Sequence, residues 1–143
     1  MPPYKLHIDV QVRFRDTDAM GHVNNAVYLS YLELARMRYW RELTGLKDFS
    51  KIDMILARVE IDYRSPAKVD TDLRVWIRVP EVMRSSFLFD YRLEDLADGR
   101  LIAEAKSVQC LFDYALHKVK RMDPSLRDRI VEFEKPQFVK VPG

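Results

Sequence analysis

Cysteine is nearly absent. Cys110 stands alone among 143 residues, so no intrachain disulfide can form, and the count fits a reducing compartment. Long apolar runs are missing as well: none approaches the roughly 20 residues that a membrane-spanning helix needs. The opening Met1-Pro2-Pro3-Tyr4-Lys5 has no apolar core and no cleavage signature, which argues against a signal peptide. Charge of one sign is not in excess. Lys plus Arg total 24 against 22 Asp plus Glu, a formal net charge of +2. Nucleic acid and membrane surfaces are therefore not expected partners, although a local basic patch can still meet a phosphorylated ligand. Internal repeats, low-complexity segments and interdomain linkers are also lacking. The expectation is a cytoplasmic protein with a single domain over residues 1–143.

What is present is the balance of a folded globular chain, with 48% hydrophobic and 32% charged residues. Ile8, Val10, Val12 and Phe14 alternate with polar residues, predicting a half-buried strand over 8–14. From about Asn25 to Thr44 the period becomes helical, with Tyr28, Leu32, Ala35, Tyr39 and Leu43 at three- and four-residue spacing. Val27, Tyr31 and Leu34 widen the apolar stripe, while Glu33, Arg36, Arg41 and Glu42 fall largely off it. Asn24 or Asn25 is placed to cap this helix and Gly45 to end it. Strands are predicted at 54–63, 69–79, 86–96, 101–112 and 117–121. Asp98-Gly99 is a hairpin turn signal, and Asp123-Pro124 opens a short helix over 124–133. One strand, one long helix and a run of hairpin-linked strands make an α+β protein with an antiparallel sheet.

Between the first strand and the long helix the periodicity stops. Arg15-Asp16-Thr17-Asp18-Ala19-Met20-Gly21-His22-Val23-Asn24-Asn25 packs polar groups together where a plain turn would serve. Backbone N–H groups near Asn24 and Asn25 open the helix without intrahelical acceptors. With the helix dipole they form a site for developing negative charge. Asp18 stands seven residues ahead of Asn25, and a carboxylate there can act as base or nucleophile on a carbonyl carbon. Asp16 is expected to hold the loop through its side chain.

Asp16-Thr17-Asp18, Gly21, Asn25, Tyr28 and the Glu33–Arg36 pair resemble the hotdog-fold thioesterases that include bacterial 4-hydroxybenzoyl-CoA thioesterase and related acyl-CoA thioesterases. Tyr63 to Pro66, Ser86 to Tyr91 and Phe112-Asp113 running into Lys118 to Arg121 extend the resemblance over most of the chain. It implies an antiparallel sheet wrapped around one long helix, hydrolysis of an acyl-CoA, and a homodimer or homotetramer with active sites at the subunit interface. It also implies that Asp18 is the catalytic carboxylate and that Asn25 offers its main-chain N–H to the thioester oxygen. Plant acyl-ACP thioesterases are similar too, with an Asp, an Asn two residues on and a His four residues on. Here those positions are Asp18, Met20 and His22, so His22 is a candidate helper and the middle residue departs.

The same residues admit other readings. A calcium loop starting at Asp16 fails at Met20 and Val27, where oxygen ligands are required. Asp16, Asp18 and His22 have metal-ligand chemistry, but His7 and His117 fall in unrelated strands, so no metal and no cofactor are expected. His22 as an ordinary loop residue stands beside its catalytic reading. Tyr28 is core by pattern and also placed, with Asn24, to meet substrate. Cys110 alternates with Val108 and Phe112 and reads as a buried strand residue, not a nucleophile. Arg64, Lys68 and Arg84 read as solvated, each available to a CoA phosphate. Rival functions are an acyl-ACP thioesterase, a non-catalytic acyl-CoA-binding module and a dehydratase.

Overall fold

A computed structural model describes residues 4–45 and 53–142; Met1 to Pro3, part of the leader-peptide reading, lie outside the described residues. The elements are β1 (Leu6–Gln11), α1 (Val27–Thr44), β2 (Met54–Tyr63), β3 (Asp72–Arg78), β4 (Ser86–Asp95), β5 (Leu101–Asp113), a two-residue β6 (Lys118–Val119) and α2 (Pro124–Glu134). The sheet order is β1-β3-β4-β5-β2, with β6 on β5, and every pairing is antiparallel. β1 and β2 are thus opposite edges of the sheet, although they are consecutive strands. The chain crosses from one edge to the other through α1, whose 18 residues span about 27 Å. That exceeds the roughly 19 Å width of five strands, so the helix is long enough to traverse the whole face.

Sequence pattern explains both layers. Phe87, Phe89, Tyr91 and Leu93 on β4 and Leu73, Val75 and Ile77 on β3 all face the helix and are buried. Tyr28, Leu32, Ala35, Tyr39 and Leu43 return the contact from α1. Gly45 adopts a left-handed φ of 71°, and its N–H closes the last turn on Arg41 O at 2.8 Å. Asp123 caps α2 by accepting from Ser125 N at 2.8 Å, with Pro124 in the first turn. Among the described residues no helix is long and apolar enough to cross a membrane.

Several expectations are corrected. β1 ends at Gln11, and Phe14 opens a short 3-10 turn (Phe14–Asp16) with 82% of its surface exposed. Val12 is where the alternation stops, because its N–H goes to Thr71 O outside the ladder with β3. The helix begins at Val27, and the residue at its cap position is Ala26, whose side chain makes no capping bond, not Asn24 or Asn25. Leu34 is exposed, while Arg36 is buried. Arg36 turns inward because its guanidinium donates to Tyr91 Oη at 3.2 Å. The face of β5 is inverted relative to the sequence reading. Ser107, Gln109 and Leu111 face the helix, while Val108, Cys110 and Phe112 are only half-buried. Two polar residues are tolerated in the core because they satisfy one another: Tyr91 bonds Ser107, Ser107 donates to Gln109, and Gln109 Nε2 donates to Phe87 O at 3.1 Å. His117 belongs to the β5–β6 turn with φ 52°, not to a strand.

Candidate active site

The segment after β1 is built around Asp16. Its carboxylate accepts from Arg13 N at 3.0 Å, from Arg13 Nη2 at 3.1 Å and from Tyr31 Oη at 2.9 Å. Burial alone would raise this carboxyl, but the hydrogen bonds from Arg13 and Tyr31 outweigh it and hold the group below its ordinary range. The Asp16 carbonyl in turn accepts from Asn24 N at 2.9 Å. One residue thereby ties the 3-10 turn, the helix core and the helix mouth together.

A tight turn follows. Asp18 N donates to His22 O at 2.7 Å and Gly21 N donates to Asp18 O at 3.0 Å. Gly21 closes it with φ 77°, a conformation other residues adopt only with strain. Asp18 Oδ1 accepts from Met20 N at 2.9 Å and His22 N at 3.3 Å. Oδ2 has no partner among the described residues, so one carboxylate oxygen is held and the other is available. The strand-like pairing of Thr17 with Val23 and of His22 with Lys68 fixes the turn against the segment after β2.

Asn24 organises the mouth of α1. Its side-chain oxygen accepts from Ala26 N at 2.9 Å and its carbonyl accepts from Val27 N at 2.9 Å. The Asn25 N–H has no acceptor among the described residues. The main-chain N–H of Asn25 is therefore a free donor at the positive end of the helix. The Asn25 carbonyl accepts from Tyr63 Oη at 2.9 Å.

Asp18, His22, Val23, Asn25 and Tyr28 line one cavity of about 260 Å³ together with Tyr63, Arg64, Ser65 and Pro66. Of the residues singled out from sequence, Asp18, His22, Asn25 and Tyr28 meet here. Asn24 does not line the cavity; its side-chain oxygen and carbonyl accept from Ala26 and Val27. Tyr28 is buried, and desolvation pushes its phenol above the ordinary range. Of the wall contributed by Tyr63 to Pro66, sequence named only Arg64, as a candidate for a CoA phosphate. Its signal is the polar Tyr-Arg-Ser-Pro run that ends a strand next to a proline, where backbone leaves the sheet.

A second, larger cleft of about 800 Å³ lies toward the other end of α1, bounded by Trp40, Leu111, Arg84, Lys120, Arg121 and Arg127 among others. Trp40 is 3% exposed, and its indole N–H is buried without an acceptor among the described residues. Among the described residues, no three His, Cys, Asp or Glu side chains are grouped to hold a metal ion.

A sheet curled over a single long helix, with a carboxylate and an unused N–H at the helix mouth, defines the class: a hotdog fold of the thioesterase type. The family model of the Thioesterase-like superfamily matches residues 12–130, and the chain belongs to that family. The acyl-CoA thioesterase YbgC of Haemophilus influenzae is 38% identical over 88 residues, which span 59% of this chain and 65% of that protein. The long-chain acyl-CoA thioesterase FadM of Escherichia coli is 24% identical over 135 residues, 91% of this chain and all of that one. A thioesterase from Thermus thermophilus, solved with coenzyme A and Zn, superposes with a TM-score of 0.86 at 31% identity, covering 96% of this chain and 100% of its own.

Proposed function

We propose that this chain hydrolyses an acyl-CoA thioester to the free acid and CoA. One observation carries the reading: Asn25, whose N–H is unused at the N-terminus of α1, lines the same small cavity as Asp18. A thioester carbonyl seated there would receive a hydrogen bond from Asn25 as its oxygen gains charge. Asp18 takes a proton from water as that water attacks the carbonyl carbon. The C–S bond then breaks, and the proton passes to the departing thiolate. In the covalent variant, Asp18 attacks first and the mixed anhydride is hydrolysed in a second step. The acyl-CoA thioesterases among the relatives support the substrate class, as does the coenzyme A bound to the Thermus protein.

The reading extends to assembly as a homodimer or a tetramer of paired dimers. β2 is an edge strand that exposes Ile55, Leu56 and Tyr63, an arrangement that proteins normally cover. Antiparallel pairing of β2 with a second copy would set its Tyr63 end beside the Met54 end of the partner strand. The small cavity of one copy would then adjoin the larger basic cleft of the other. Arg84 and Arg121 have no carboxylate partner among the described residues and suit the phosphates of CoA. A cytoplasmic location belongs to the same proposal.

Asp18→Asn is the test. Asn can still accept from Met20 and His22 through its amide oxygen, so the turn is kept. Turnover on a panel of benzoyl-, hexanoyl- and palmitoyl-CoA, read as free thiol, should fall about a thousandfold. Wild-type turnover in this variant sinks the assignment. Single turnover in ¹⁸O-water separates the two routes: label in Asp18 marks the covalent one. A carrier-protein thioester is the second reading, favoured by His22 on the cavity wall. Met20, the position that departs from the plant pattern, is 78% exposed and does not line the cavity. Equal acyl groups on CoA and on acyl carrier protein, compared by kcat/KM, separate the two.

A further inference from the structure

Tyr63 is outside the reacting groups assigned above, yet its hydroxyl reaches the one residue whose backbone matters most. Tyr63 Oη donates to the Asn25 carbonyl at 2.9 Å. In a continuous helix that carbonyl would accept from the N–H of Leu29, four residues on. Leu29 N instead donates to Ala26 O at 3.2 Å, so the carbonyl of Asn25 is left outside the helical ladder. A carbonyl in that position needs another partner, and Tyr63 is the partner present. The donor is well anchored. Tyr63 is the last residue of β2 and pairs across the sheet with Ala103. Its ring meets Tyr28 edge-on, with centroids 5.3 Å apart.

From this geometry we infer that Tyr63 is a positioning residue: its hydroxyl keeps Asn25 out of the first helical turn and so aims the Asn25 N–H into the cavity. The inference rests on the oxyanion role proposed for that N–H. Two independent restraints then bracket Asn25. Asn24 takes the following N–H groups from the helix side, and Tyr63 takes the carbonyl from the sheet side. Without the second restraint the backbone of Asn25 is free to turn toward the helix axis. The N–H would then lose its aim while the cavity walls stayed in place.

Tyr63→Phe removes the hydroxyl and keeps the ring against Tyr28. Steady-state kinetics on the best substrate of the panel should show kcat reduced about tenfold, with KM within about twofold and the thermal midpoint unchanged. A merely structural role would not produce the second readout. The same acyl-CoA, labelled with ¹³C at the carbonyl, is bound to Asp18→Asn and to Asp18→Asn/Tyr63→Phe, and its C=O stretch is measured by isotope-edited infrared spectroscopy. The stretch should be lowered in the first protein relative to free substrate and should return at least halfway in the second. A lowered stretch that survives Tyr63→Phe, or a kcat within twofold of wild type, overturns the role of Tyr63 alone. A stretch not lowered even in Asp18→Asn removes the oxyanion reading beneath it, and this inference with it.

Discussion

The Tyr31 hydroxyl donates to Asp16 Oδ2 at 2.9 Å, and both residues are buried. This bond joins the core face of α1 to the loop that carries Asp18, so helix packing and loop geometry are set together. Asp16 is also the anchor for Asn24, whose side chain and carbonyl leave the Asn25 N–H unused. The turn that holds Asp18 and the mouth that holds Asn25 therefore hang from one carboxylate residue.

Asp16→Asn is expected to destabilise the protein by about 2 kcal/mol at pH 7, through weakened or mismatched hydrogen bonds to Arg13 and Tyr31. The Asp16 carboxyl is held below its ordinary 3.8 in the folded state. Its stabilising contribution is thus fully present above that value and is lost as pH falls through the lower, folded value. The gap between wild type and variant should be widest at neutral pH and should shrink below about pH 3.8. Urea unfolding at pH 7 and pH 3 measures both. A gap that stays constant with pH would show that the charge of Asp16 does not contribute.

Much of the fold was legible because two strong periods coincide with burial. The alternation through Phe87, Phe89, Tyr91 and Leu93 and the helical spacing of Tyr28 to Leu43 both name core residues correctly. What the sequence hid was polar burial. Arg36 reads as surface by its chemistry, and Ser107 and Gln109 read as the outer face of β5. They are interior because they bond Tyr91, Phe87 and one another across elements. No local pattern encodes such pairings. The candidate site shows the same division. Asp18, His22 and Asn25 are near in sequence and meet at one cavity. Tyr63 joins them from 38 residues away through a hydrogen bond, and only the placement of the β2 end against the helix mouth reveals it.

His22 offers a graded test of the helper role. Its backbone N–H and carbonyl both serve the Asp18 turn, and any side chain supplies those groups. Its imidazole has no hydrogen-bond partner among the described residues, so His22→Ala should leave the fold intact. If the ring assists proton transfer, kcat falls between about 10- and 100-fold and the pH–rate profile loses one limb. An unchanged kcat assigns His22 to the cavity wall alone.

Glu134 is 1% exposed, and its Oε1 has no partner among the described residues. Oε2 accepts from Tyr39 Oη at 2.5 Å and from Val79 N at 3.0 Å, tying α2 to α1 and the sheet. Burial pushes its carboxyl above the ordinary 4.5, and the hydrogen bonds from Tyr39 and Val79 only partly oppose this. The folded state therefore holds the proton more tightly than the unfolded chain does. That contribution is present below about pH 4.5 and is lost as pH rises through the folded value. Glu134→Gln keeps the acceptor for Tyr39 and Val79 and removes the buried charge. It should gain on the order of 1 kcal/mol at pH 7.5 and little at pH 4, as calorimetry at the two pH values would read. Equal effects at both would mean that the Glu134 carboxyl binds its proton no more tightly in the folded state than in the unfolded chain.

The edge strand β2 gives the test of assembly. Leu56 is 44% exposed there, with Ile55 and Tyr63 exposed on the same strand. A second copy paired antiparallel on this edge would place the two β2 strands about a two-fold axis near the middle of the strand. Leu56→Glu then places an unpaired carboxylate from each copy in a surface meant to exclude water, where a buried charge without a partner is strongly disfavoured. Within one copy the change costs little, because the side chain is already partly in solvent. Sedimentation should show the wild type as a dimer or tetramer and the variant as a single chain, both with the same far-ultraviolet circular dichroism. Activity should fall with the assembly, because the small cavity holding Asp18 would lose the basic cleft of its neighbour. A variant that sediments like wild type moves the interface to another face of the molecule. A single-chain variant that retains full kcat/KM on acyl-CoA shows that one copy holds the complete site.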